Sequence, residues 1–184
     1  MDRISTKIPG CELLRLDRKV DARGDFLKIF QKSSFQPLGL DFSPKEIYFS
    51  TSHQNVIRGL HFQTPPNEYQ KCVTVMHGEV FDVVLDLRKG SPTYGQHQSF
   101  HLKAMQPELL WIPKGLAHGF CALSESATLA YMVDQEYAPQ SDAGIRWDST
   151  GIQWPTQRPT RNPILSARDA ALPCLKDFNS PFTF

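Results

Sequence analysis

Apolar side chains recur along the chain in runs of strand length, and many alternate with polar ones. In residues 79–87 the alternation puts Val80, Asp82, Val84 and Asp86 on one face and Phe81, Val83, Leu85 and Leu87 on the other. That is the two-residue period of a β-strand. Residues 71–76 predict the strand before it, with His77-Gly78 as the tight turn between the two. Further strands are predicted at 12–16, 25–31, 45–51, 98–102, 108–112 and 127–133. Helical periodicity is scarce. Its best example is 166–172, with Ser166 as N-cap and Asp169 three residues on. Many strands at short spacing, punctuated by 14 prolines and 11 glycines, predict an all-β sandwich or barrel in one domain over residues 1–184. The Pro-rich stretch 154–163 reads as an ordered arm anchored by Trp154, Ile164 and Leu165, and 179–184 as a fraying end.

Composition narrows the function classes. The 184 residues are 40% hydrophobic and 21% charged, which excludes a disordered chain. Lys+Arg is 20 against Asp+Glu 19, a formal net charge of +1. So balanced a chain offers no field for nucleic acid or an anionic membrane. No apolar run approaches the roughly 18 residues of a membrane helix, and Met1-Asp2-Arg3-Ile4-Ser5 lacks the apolar stretch of a signal peptide. Cys11, Cys72, Cys121 and Cys174 form no C-x-x-C pair, so a cytoplasmic protein with reduced thiols is expected.

Three segments concentrate reactive side chains: Arg58-Gly-Leu-His-Phe-Gln63 with Lys71 beyond it, Trp111-Ile-Pro-Lys-Gly-Leu-Ala-His118, and Tyr131 with Tyr137. In a regular strand Arg58, Leu60 and Phe62 share one face and Gly59, His61 and Gln63 the other. A bend at Gly59 would bring Arg58 and His61 to one cavity. His61 is then either a hydrogen-bonded core histidine or a base. The pattern Pro113-x-Gly115-x-x-His118 resembles the second motif of the cupin superfamily, whose fold is a double-stranded β-helix barrel. Two chemistries compete. A metal cupin would need a first motif H-x-H, but here the stretch is His61-Phe62-Gln63 with Lys71 nearby. One imidazole, one amide and an ammonium suit a dication poorly. The other chemistry is metal-free proton transfer: a histidine base, a lysine and second histidine for an enolate oxygen, and a tyrosine acid.

These residues, in this order, resemble the dTDP-4-dehydrorhamnose 3,5-epimerase family of nucleotide-sugar epimerases. The likeness runs through Asp21-Ala-Arg-Gly24, Arg58-Gly-Leu-His-Phe-Gln63, Gly78-Glu-Val-Phe-Asp-Val-Val-Leu-Asp-Leu-Arg88, Ser91-Pro-Thr-Tyr-Gly95, Leu110-Trp-Ile-Pro-Lys-Gly-Leu-Ala-His-Gly-Phe120, Gly144-Ile-Arg-Trp147, Ile152-Gln-Trp-Pro155 and Leu165-Ser-Ala-Arg-Asp169. It implies an all-β cupin barrel with a few short helices, a homodimer with strand exchange at the N-terminus, no metal and no cofactor. The implied substrate is a nucleoside-diphosphate 4-keto-6-deoxyhexose, epimerised at C3 and/or C5 in deoxysugar biosynthesis. It implies His61 as base, Asp169 as its carboxylate, Lys71 as stabiliser of the C4 enolate oxygen and Tyr131 as acid. His118 falls in the sugar pocket, Arg23 and Arg58 on diphosphate positions, and Tyr137 beside the nucleotide. Phe26, Lys28 and Gln63 complete the implied substrate-binding set.

The chain departs from that pattern where the base would sit. After Arg23-Gly24 the family has aromatics and then a glutamate; here the run is Asp25-Phe26-Leu27-Lys28. The family's Gln-Asp-Asn-His is replaced by Glu46-Ile47-Tyr48-Phe49. An ammonium in place of a carboxylate reverses the hydrogen-bond polarity offered there. A nucleotide other than dTDP, with CDP first, is therefore expected. A ketoisomerase and a non-catalytic sugar-binding cupin are the alternative readings on the same scaffold.

Overall fold

A computed structural model describes residues 2–156 and 162–184. The Pro-rich arm predicted at 154–163 lies partly outside the described residues. One sheet has six strands, in the order β1 (Asp2–Ser5), β2 (Glu12–Arg15), β10 (Glu108–Ile112), β7 (Lys71–His77), β12 (Ser126–Val133) and β5 (Glu46–His53). A second has five, in the order β13 (Asp142–Gly144), β6 (Ile57–Gln63), β11 (Leu116–Ala122), β8 (Glu79–Asp86) and β9 (His97–Lys103). The strands β3 (Arg18–Asp21) and β4 (Gly24–Leu27) form a separate ribbon. The two large sheets close into the cupin-type double-stranded β-helix, with short helices α1 (Lys32–Phe35) and α2 (Ala167–Ala170) outside.

The core explains why β8 carries apolar residues on both sides. Val80 and Val84 point between the sheets, against Val73, Leu110, Phe120 and Leu129. Phe81, Val83, Leu85 and Leu87 point outward, where Ile145, Ile152, Phe178 and Phe182 cover them. A third cluster, Phe35, Phe42 and Trp111 with Phe30 packed on it, covers the other sheet. Each fully buried side chain of this size contributes about 1.5–3 kcal/mol.

Three expectations differ from the structure. The strand expected at 25–31 stops at Leu27, because Ile29 and Phe30 leave the ribbon to pack with Phe35 and Phe42. The 116–122 segment, which carries no strand prediction, is a fully buried strand. The end at 179–184 does not fray: Ser180 donates to the Leu87 carbonyl, Phe182 is buried, and Phe184 donates its N–H to Lys89 O at 3.0 Å.

Candidate active site

The site begins with one irregularity in β6. Across the β6–β11 pair His118 faces His61 and Phe120 faces Arg58, so Gly59 and Leu60 together oppose the single residue Gly119. This is a β-bulge, which breaks the alternation of faces. Leu60 and Phe62 turn outward into the apolar cluster, while Arg58, His61 and Gln63 all line one cavity of about 400 Å³. Glycine is required at the bulge. Gly59 has φ 121°, and a Cβ there would stand 2.6 Å from Gly119 Cα.

Asp169 comes to His61 from the far end of the chain. The hydroxyl of Ser166 caps α2 by accepting from Asp169 N at 3.0 Å, as its N-cap position predicts. That turn sets Asp169 Oδ1 2.7 Å from His61 Nε2, while Oδ2 accepts from Gly59 N at 3.1 Å. Burial opposes the charge on Asp169, but His61 and the Gly59 and Ser166 bonds outweigh it and hold the carboxyl below its ordinary value. A proton placed on Nε2 is shared with this carboxylate in a hydrogen bond and leaves Nδ1 as the ring's free base, the tautomer that a base role needs.

The second histidine mirrors the first. His118 Nε2 lies 2.9 Å from Asp82 Oδ2, both fully inside the barrel. Burial lowers the His118 pKa against the pull of Asp82. Lys71 is 4% exposed. Its ammonium sits 5.0 Å from the Tyr69 ring centroid and makes no hydrogen bond or ion pair among the described residues. Burial lowers its pKa, opposed by Tyr48, Asp82 and Asp142. Tyr131 is buried, its hydroxyl 3.1 Å from Ser50 Oγ, and burial raises its pKa so that the phenol stays protonated.

The remaining predicted residues divide. Arg58 lines the cavity, held against β5 by Ser52 Oγ at 2.9 Å. Tyr137 is at the mouth, its hydroxyl donating to Asp142 Oδ2 at 3.3 Å. Gln63 also lines the cavity, but its amide is engaged with backbone: it donates to Asn67 O at 2.7 Å and accepts from Ala138 N at 2.7 Å. Arg23, Phe26 and Lys28 lie on or just after the β3–β4 ribbon, outside the cavity lining. Arg23 pairs there with Asp21 at 2.6 Å.

Arg168, Asp142, Tyr69 and Ser50 are among the lining residues that carry no predicted role. Arg168 Nη1 is 2.8 Å from His61 Nε2, and Nη2 donates to Asp142 Oδ1 at 2.7 Å. Its only signal in the sequence is its place directly before Asp169. Among the described residues no group of three or more His, Cys, Asp or Glu side chains is disposed to hold a metal ion. No helix among them is long and apolar enough to cross a membrane.

Comparison with known proteins decides the lineage. The family model for dTDP-4-dehydrorhamnose 3,5-epimerase matches residues 5–177. The chain belongs to this family. It is 43% identical over 177 residues to the Salmonella typhimurium dTDP-4-dehydrorhamnose 3,5-epimerase, covering 94% of each chain. Its fold superposes with a TM-score of 0.93 on a Legionella pneumophila epimerase solved with dTDP-4-keto-L-rhamnose, at 34% identity, covering 100% of this chain and 98% of that one. A Bacillus anthracis relative with TDP and pyrophosphate bound gives 0.89 at 37% identity, covering 95% and 99%. This epimerase is thus an isomerase of deoxysugar biosynthesis.

Proposed function

We propose that the enzyme inverts C3 and/or C5 of a nucleoside-diphosphate 4-keto-6-deoxyhexose, with His61 as base and Tyr131 as acid. The observation that carries this is the His61–Asp169 contact of 2.7 Å in the cavity that Lys71 and Tyr131 also line. The C4 ketone acidifies the C–H bonds at C3 and C5. His61 Nδ1 takes the proton, Lys71 steadies the enolate oxygen, and Tyr131 delivers a proton to the opposite face. Acid–base groups of this kind contribute about 10²–10⁴-fold each, and an oxyanion contact about 3 kcal/mol. Arg58 takes the diphosphate, where a guanidinium can chelate two oxygens.

The ribbon residues fit a homodimer. Strand β5 ends the six-stranded sheet and pairs only with β12 among the described residues, with Ile47 and Phe49 exposed on it. Arg23, Phe26 and Lys28 of a second copy would reach the site from outside. The base reading follows from Lys28: an ammonium donates, cytosine N3 accepts, and thymine N3–H does not. Cytidine diphosphate is therefore the preferred nucleotide. A larger melting shift with dTDP than with CDP or GDP overturns that choice.

Proton NMR of 4-keto-6-deoxy sugar nucleotides in heavy water tests the activity. Exchange at C3 or C5 with the ketone retained is the expected result. Exchange with a moved carbonyl would mean a ketoisomerase, and no exchange with any nucleotide a binding protein.

A further inference from the structure

The motif that departs from the family pattern places an aromatic ring against the acid. Tyr48 and Tyr131 are direct partners in the β5–β12 register. Their rings lie 4.8 Å apart at 15°. The His118 ring packs against Tyr131 in a T-shaped arrangement at 6.3 Å and 70°. The Tyr131 hydroxyl is tied to Ser50 at 3.1 Å. Tyr48 is on the sheet edge and 39% exposed, against 5% for Tyr131. The acid's ring plane is thus set by Tyr48 and its oxygen by Ser50.

We infer that Tyr48 is a positioning residue: its ring holds Tyr131 on the far face of the sugar and so commits the enolate to inversion. The inference rests on the reading of Tyr131 as acid. The enolate is planar and can be protonated on either face. His61 takes a proton from one face and can return one there after exchange with solvent, which leaves the centre labelled but not inverted. Tyr131 protonates the other face and inverts it; the phenolate then regains a proton from solvent and the imidazolium loses one. No oxidant or reductant is needed. A Tyr131 that tilts out of reach leaves the first route running and starves the second, because small misplacements of a reacting group are costly.

The test is the ratio of inversion to deuterium incorporation, from initial rates in heavy water on a 4-keto-6-deoxyhexose nucleotide that the wild type turns over. In Tyr48→Leu and Tyr48→Thr the ratio should fall at least about tenfold. Tyr48→Phe, which keeps the ring, should stay near wild type. Threonine is a good strand former on an exposed edge, so that variant guards against loss of fold. The inference is overturned if Leu and Thr keep the ratio, if both rates fall in proportion, or if Phe loses inversion as Leu does. Tyr131→Phe separates the underlying reading: native inversion in that variant removes Tyr131 as the acid, whatever the Tyr48 series shows.

Discussion

His61 and His118 stand directly opposite each other across β6 and β11, and each commits its Nε2 to a different carboxylate, Asp169 at 2.7 Å and Asp82 at 2.9 Å. The two dyads differ in burial. His118 is sealed in the barrel, whereas His61 keeps 26% of its side chain accessible. Abstraction from substrate falls to the reachable ring.

That difference has a pH signature. The folded pKa of His118 is depressed below its ordinary 6.5, mainly by burial. As pH falls through 6.5 the unfolded chain takes up a proton that the folded one refuses, so stability declines. The depressed Asp169 acts in a lower window: its contribution is complete above the ordinary 3.8 and is lost only as pH drops through its lower folded value. Urea melts of His118→Asn should show a flatter stability profile just below pH 6.5 than the wild type. An unchanged slope there removes His118 as its source.

The bulge makes a sharp prediction in paired glycines. Gly59 and Gly24 have nearly equal φ, 121° and 122°, but only Gly59 has backbone within reach of an added Cβ, Gly119 Cα at 2.6 Å and His118 O at 2.8 Å. Gly59→Ala should cost about 3 kcal/mol and disperse Arg58 and His61. Gly24→Ala should cost only the backbone strain, roughly 1–2 kcal/mol. Equal costs in denaturant melts would contradict the close-packed bulge.

These cases show what could be read from sequence. The alternation in β8 was legible, including both faces, because apolar pattern alone sorts Val80 from Phe81. The bulge was legible only as a conditional bend at Gly59, since an extra residue in a ladder is defined by its partner strand. β11 escaped because Ala117, Gly119 and Ala122 carry little strand propensity; burial between β6 and β8 decides their structure. Arg168 and Asp142 escaped for another reason: 26 residues separate them, and only folding makes them an ion pair.

Lys71 should trade stability for chemistry. Its pKa is lowered chiefly by burial, so the folded state disfavours a charge that the unfolded chain solvates. Lys71→Met should raise the melting temperature and abolish turnover. A lower melting temperature would mean that the ammonium is structurally compensated.

The most direct measurement is solvent deuterium incorporation at C3 and C5 in wild type, His61→Ala and Asp169→Ala, with nucleotide binding followed alongside by calorimetry. Both variants should still bind nucleotide, His61→Ala should lose exchange and Asp169→Ala should slow it by about 10²-fold or more. Exchange at the wild-type rate in His61→Ala would remove His61 as the base.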